Sequence, residues 1–167
     1  MELLDSREKR DLREKALLDK YHGTLLTLRA NFPGSEKRHE KADLAVTILY
    51  EEVRRQYNPV HEEILQDAEG LIYLLLLKES PEDVKRKALS LEESHPLGRL
   101  IDMDVRDEEK IWSRRDFSIP GRKCYLCEDL AVHCVRSQKH PLEDVISHFV
   151  RKVDDYLESA GVEKRRK

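Results

Sequence analysis

VHEEILQDAEGLIYLLLLK, residues 60–78, is the stretch that decides the fold. Ala68-Glu69-Gly70 separates two strand-like runs, as the turn of a β-hairpin does. The second run, LIYLLLLK, lacks the polar alternation of a half-exposed strand, so both of its faces need cover. The flanking sequence supplies it. Upstream, residues 37–57 carry Leu44, Ala45, Ile48, Leu49 and Val53 at helical spacing, and GTLLTLRANF, residues 23–32, reads as a strand ended by Pro33-Gly34. Downstream, Ser80-Pro81-Glu82-Asp83 is a helix start, with Ser80 as N-cap and Pro81 in the first position, for a helix reaching Ser94. HPLGRLIDMDVRD, residues 95–107, then contains a strand, and Asp107-Glu108-Glu109 turns the chain toward a short partner strand at Ile111-Trp112.

The resulting order is β-α-β-β-α-β, the split pattern of ferredoxin-like sheets. The expected class is α+β: a single two-layer domain of ferredoxin-like or nucleotidyltransferase-like kind, with a mainly antiparallel sheet over residues 1–160. Helices are added at both ends. Residues 1–22, rich in Lys, Arg, Glu and Leu, read as an N-terminal helical arm. Residues 120–160 hold a cysteine cluster and a last helix opened by Pro141, with Leu142, Val145, Ile146, Phe149, Val150, Val153 and Tyr156 on its apolar face; residues 161–167 form a charged tail.

Composition narrows the function. A chain of 167 residues with 39% apolar side chains can bury a real core, which argues against disorder. Lys+Arg 31 against Asp+Glu 34 leaves a net charge of −3, which does not suit a sequence-independent nucleic-acid binder. No apolar stretch reaches the length of a membrane span, and residues 1–20 are too charged for a secretory signal. The three clustered cysteines do not make a secreted disulfide framework, so a cytoplasmic protein is expected.

Within residues 95–107, Asp102 and Asp104 interrupt Leu100, Ile101, Met103 and Val105. Two residues apart on a strand, they share a face with Cα atoms roughly 6–7 Å apart. That spacing suits one or two divalent cations, and hard carboxylate oxygens suit Mg²⁺ held together with substrate phosphates. A solvated strand face is the other reading. Gly98 permits close approach of backbone or phosphate, and Arg99 adds a cation beside it. Residues 110–140 then carry Lys110, Arg114, Arg115, Arg122, Lys123, Arg136 and Lys139 against Asp116, Glu128 and Asp129. Metal plus Arg and Lys is the charge set that a polyphosphate requires, although a solvated basic surface has the same composition.

Cys124-x-x-Cys127 is followed by Cys134, with His133 and His140 nearby. Cys124, Cys127, Cys134 and His140 could form a tetrahedral Zn²⁺ site. Only six residues separate Cys127 from Cys134, and reduced cysteines packed in a small core fit the pattern as well.

Taken together, HPLGRLIDMDV, SRRDFSIPGRKCYLC, CVRSQKH, the last helix and LLTLRANFPGSEK resemble the citrate lyase holo-acyl-carrier-protein synthases, the apo-citrate lyase phosphoribosyl-dephospho-coenzyme A transferases. The resemblance covers residues 13–157. Ser35, Ile101 and Glu128 depart from the family pattern, while Gly98, Asp102 and Asp104 keep it. It implies a nucleotidyltransferase-type reaction. The donor would be triphosphoribosyl-dephospho-coenzyme A, the acceptor a serine of the citrate lyase acyl carrier protein, and the leaving group pyrophosphate. Asp102 and Asp104 would hold Mg²⁺. Gly98, Arg99, Ser113, Arg114, Arg115, Arg122 and Arg136 would bind substrate, and His95 or His140 would relay the serine proton. His95 also suits a helix C-terminus. A transferase for another carrier, such as that of malonate decarboxylase, or a non-catalytic zinc module that binds a partner, would share part of this sequence pattern.

Overall fold

The computed structural model describes residues 2–165, with side chains described through residue 161. The hairpin forms where its sequence places it: β2 spans His61–Asp67 and β3 spans Gly70–Leu77. Gly70 takes a φ of 89°, a left-handed conformation that closes the two-residue turn and that a side chain would strain. β1, Thr24–Ala30, lies against β3, with Leu26 opposite Leu75 and Leu28 opposite Tyr73. β4, Ile101–Arg106, lies on the other side of β1, and the two-residue β5, Ile111–Trp112, extends the edge. The sheet order is β2-β3-β1-β4-β5, with every neighbouring pair antiparallel. Its first four strands keep the ferredoxin-like split arrangement, and β5 adds to it.

Helices α2, Glu40–Arg54, and α3, Pro81–Ser94, connect the strands. α2 is shorter than its apolar spacing predicts, because the His39 ring accepts a hydrogen bond from the Lys41 N–H and caps the helix there. Ser80 caps α3 through the Asp83 N–H, with Pro81 at its start, as expected. Leu26, Leu28, Tyr73, Leu75, Leu77, Met103 and Val105 form one core with Ala45, Val46, Leu49 and Val53 of α2 and Val84 and Ala88 of α3. A short helix α4, Ala131–Ser137, leads to α5, Leu142–Arg165. α5 adds Phe149 and Val153 to the core, and Phe149 meets Phe32 edge to face. Leu44, expected in this core, is 41% exposed instead. The α5 backbone runs on into the segment read as a charged tail, whose side chains from residue 162 lie outside the described residues.

The largest departure from the two-layer expectation is at the N-terminus. α1, Glu2–Tyr21, is not a free arm: Leu17 and Leu18 are buried on the other face of the sheet against Leu25, Ile72, Leu74 and Leu76. Burying each leucine contributes about 2 kcal/mol. The sequence reading missed this because α1 is mostly charged, and its apolar contribution to the core is two adjacent leucines. Polar contacts complete the docking. Arg10 donates to Glu69 at 2.7 Å, Thr27 donates to Glu14 at 2.9 Å, and Arg13 donates to Glu63 at 2.8 Å. No described helix is long and apolar enough to cross a membrane.

Arg13, aided by His61, holds the Glu63 carboxyl down to about 2, outweighing its burial. Such a group contributes stability above its unfolded value of about 4.3 and loses it as pH falls through its folded value. Arg13 is half exposed, so water screens the pair. Glu63→Gln is expected to cost about 1 kcal/mol at neutral pH. The deficit should shrink between pH 4.3 and 2, which urea unfolding across that window measures; a constant deficit would remove Glu63 from the acid response.

Candidate active site

β4 turns Ile101, Met103 and Val105 to the core and Asp102, Asp104 and Arg106 to the α1 side. α1 engages the last of these, since Arg106 pairs with Asp11 at 3.1 Å and with Glu14 at 3.3 Å. The two aspartates lie past its flank, side by side as their spacing predicts.

Neither carboxylate is a simple solvated group. β1 sets Arg29 directly opposite Asp102 and Thr27 opposite Asp104. Arg29 Nη2 lies 3.4 Å from Asp104 Oδ2 and 3.7 Å from Asp102 Oδ2, while its Nη1 is 3.8 Å from Glu69 Oε1. Arg122 donates to Asp102 Oδ1 at 2.7 Å and to the Ile101 carbonyl at 2.6 Å. Arg122 and Arg114 both pair with the buried Glu92 of α3. Burial raises the proton affinity of Asp102 even though Arg122 and Arg29 pull it down. Burial also opposes the charge on Arg122, but Glu92 and Asp102 outweigh it and strengthen its hold on the proton.

A cleft of about 810 Å³ opens at the end of β1, between the loop from Asn31 to Ser35 and the segment carrying the cysteines. Lys37 and Arg99 line it. Lys37 donates to the Phe32 carbonyl, and burial, then Arg7 and Arg29, lowers its proton affinity. Arg99 stacks on Tyr125, 4.7 Å from the ring centroid, and donates to the Lys123 carbonyl; its Nη1 is buried with no partner. Burial lowers its proton affinity as well. The Tyr125 hydroxyl donates to the Asn31 carbonyl at 2.7 Å and so ties the two walls together. Asp102 is not part of the cleft lining but lies near it: its charge favours the protonated forms of Lys37 and Arg99, and the Asn31 N–H bonds the Leu100 carbonyl at 2.7 Å.

The other residues singled out in the sequence fall into three groups. Gly98 sits in a 3₁₀ turn, Gly98–Leu100, where a Cβ would come within 2.5 Å of the carbonyl oxygens of Leu91 and Glu92; the close approach is to backbone. Ser113 caps a second 3₁₀ turn, Arg114–Phe117, in a reciprocal box with Asp116, and so has a structural task. Arg115 and Arg136 are exposed and have no ion-pair partner among the described residues. His95 ends α3, accepts from the Leu97 N–H through Nδ1 and packs on Tyr156, beside a separate hollow of about 380 Å³ lined by Pro96 and Tyr156. His140 joins the three cysteines. Neither histidine contacts Asp102 or Asp104.

Arg29, Lys37, Glu69, Glu92 and Tyr125 went unnoticed in the sequence. Arg29 had a signal, as the one charge in an otherwise uncharged strand facing the aspartates. Lys37 had none, since only the fold of its loop brings it to the cleft.

The family described as apo-citrate lyase phosphoribosyl-dephospho-CoA transferase matches residues 1–156 of this chain. The chain belongs to that family. Transferases of this name from Escherichia coli O1:K1 and from Shigella boydii serotype 18 are 36% and 35% identical to it over 160 residues, covering 92% of this chain and 87% of theirs. The span matched by the transferase family takes in the aspartate strand, the loop from Asn31 to Ser35 and the cysteine cluster alike.

Gly98→Ala in this transferase is expected to push against the end of α3, where Glu92 anchors Arg114 and Arg122. The cost should be about 1–3 kcal/mol, as for other overpacked sites. A urea midpoint equal to wild type would show that the close approach carries no weight.

Proposed function

We propose that this chain acts in the cytoplasm to transfer the phosphoribosyl-dephospho-coenzyme A group from triphosphoribosyl-dephospho-coenzyme A to a serine of the citrate lyase acyl carrier protein, with release of pyrophosphate. The serine oxygen bonds to the α-phosphorus, that phosphorus loses its bond to pyrophosphate, and the serine proton is released. The observation that carries the reading is the Asp102–Asp104 carboxylate pair on one strand face, bridged by Arg29, with Asp102 within electrostatic reach of Lys37 and Arg99, which line a cleft of about 810 Å³. A triphosphate needs cations along its length, and the reaction needs them most where pyrophosphate charge develops.

Each side chain has a task in this scheme. Arg99, stacked on Tyr125 with a spare donor, suits a phosphate oxygen. Lys37 supplies a second, compact cation in the same cleft. Arg122 is already engaged with Glu92 and Asp102 and so positions the Asp102 carboxylate, while Arg114 shares Glu92 with it. Arg115, exposed and unpaired among the described residues, is available to the departing pyrophosphate or to an acidic carrier.

The aspartates also fit Mg²⁺. Their donor atoms are hard oxygens, and Oδ2 of both approaches the same Arg29 nitrogen, so the two carboxylates already face one cationic point. Asp102 and Asp104 would hold the ion, which supplies charge neutralisation on the triphosphate.

Asp102→Asn and Asp104→Asn are each expected to slow transfer about 10³-fold, equivalent to about 4 kcal/mol, while circular dichroism stays unchanged. Near wild-type transfer by either variant in Mg²⁺ would overturn the metal assignment. Replacing the carrier with that of malonate decarboxylase in the same assay tests the acceptor.

The cleft cations give a separate expectation. Lys37→Met and Arg99→Met should raise the KM for the triphosphate donor about tenfold or more and leave the KM for the carrier near its wild-type value, as expected on losing a charge-assisted phosphate contact. A raised carrier KM with an unchanged donor KM would make this cleft a docking surface.

A further inference from the structure

The transfer reaction leaves one constellation unused. Side-chain donor atoms of Cys124, Cys127, Cys134 and His140 all lie within 4.8 Å of one another. The three cysteines are free, and the Cys127 and Cys134 sulfurs are 3.5 Å apart.

Short local elements build the cluster. Cys124 and Cys127 flank a tight turn in which the Leu126 N–H points at Cys124 Sγ, 3.4 Å away. The Cys124 N–H bonds the Asp129 carbonyl at 2.7 Å and the Ala131 N–H bonds the Arg122 carbonyl at 2.8 Å, so the turn closes directly onto α4. α4 presents Cys134 inward, 7% exposed. Gln138 then takes a left-handed φ of 50°, and the Lys139 N–H bonds the Cys134 carbonyl, which reverses the chain and delivers His140. The six residues between Cys127 and Cys134 thus hold the end of the turn and the start of a helix. This is why a spacing that looks cramped in sequence still converges in space.

Core packing does not account for this arrangement. An apolar cluster has no use for an imidazole, yet His140 Nε2 is buried here without a hydrogen-bond partner. Nor does packing call for a cation, yet Lys139 Nζ is 3.5 Å from Cys127 Sγ. We propose that Cys124, Cys127, Cys134 and His140 bind one zinc ion in a closed, tetrahedral, structural site.

The donor set and its dimensions fit. With Zn–S bonds of about 2.3 Å, tetrahedral ligand sulfurs sit roughly 3.8 Å apart, so the Cys127–Cys134 pair at 3.5 Å opens slightly and donors up to 4.8 Å apart close by about 1 Å or less. Three cysteines and a histidine fill the four positions and leave none for a reacting water. Binding converts three thiols to thiolates and releases their three protons to solvent, leaving the centre with one net negative charge beside Lys139. No electron is transferred.

The site also bears on the cleft, in a step that rests on the function proposed above. Tyr125, between the first two ligands, holds Arg99 and reaches Asn31, while Cys124, Cys134 and His140 line the cleft wall. Zinc would therefore fix a wall that has little regular structure of its own.

Metal analysis of the full-length protein, purified from zinc-supplemented cells, tests the site without either substrate and so independently of transfer. The expected content is about one zinc per chain, lost in Cys127→Ser and His140→Ala and kept in His140→Cys. Wild-type protein stripped and refilled with cobalt(II) should show the thiolate charge-transfer and intense visible absorption of a tetrahedral site, a readout that stands even if a cysteine variant does not fold. Zinc-free protein with no such cobalt spectrum would overturn the proposal. So would stoichiometric iron in place of zinc, or zinc retained in folded Cys127→Ser.

Discussion

The antiparallel register of β1 against β4 sets Arg29 opposite Asp102, and the charge network of the candidate site is built on that pairing. One guanidinium lies within 4 Å of carboxylate oxygens from Glu69, Asp102 and Asp104, which come from the hairpin turn and from β4. A slip of one residue would turn Arg29 into the core and bring Leu28 to the outer face. The core forbids that slip, because Leu26 and Leu28 on one face and Leu25 on the other are each buried against a different set of helices. Apolar packing thus holds a polar site in register.

The outer face of the sheet is shared between two tasks. α1 covers the apolar part over β1 and β3 with Leu17 and Leu18, and its charged residues engage the rim. The part left open is the polar end of β1 and β4, where the aspartates meet Arg29 and Arg122. Glu92 extends this network through the sheet edge to Arg114 and Arg122. Buried charges of this kind cost desolvation and persist only when paired, so their pairing here keeps ionised groups beside a cleft without leaving one isolated. The raised proton affinity of Asp102 is the residue of that cost.

The segment from Ser113 to Pro141 is different in kind. It has two short helical turns, few buried apolar side chains and many exposed charges, yet it forms one wall of the cleft. Its order comes from specific links: the Ser113–Asp116 cap, Tyr125 to Asn31, Arg122 to Asp102, and the converging cysteines. A tetrahedral zinc would add the strongest of these, in the part of the chain with the least hydrophobic support.

Local signals in the sequence determined the elements and the placing of the two candidate aspartates on one strand face. The hairpin at Glu69-Gly70, the Ser80-Pro81 helix start, the final helix from Pro141 and the shared face of Asp102 and Asp104 follow from turn chemistry, capping and the period of two, which act over a few residues. The family resemblance carried by HPLGRLIDMDV and the cysteine segment was legible for the same reason, since motifs are local. The tertiary structure alone decided that α1 is a third layer, that Ser113 is a cap, that His95 packs on Tyr156 and that Arg29, Lys37 and Tyr125 join the site. It also decided that four donors spread over residues 124–140 converge on one point. Each of these depends on which surfaces meet across long separations in the chain, and that is set by burial and register summed over the whole fold, a quantity that no short window of sequence contains.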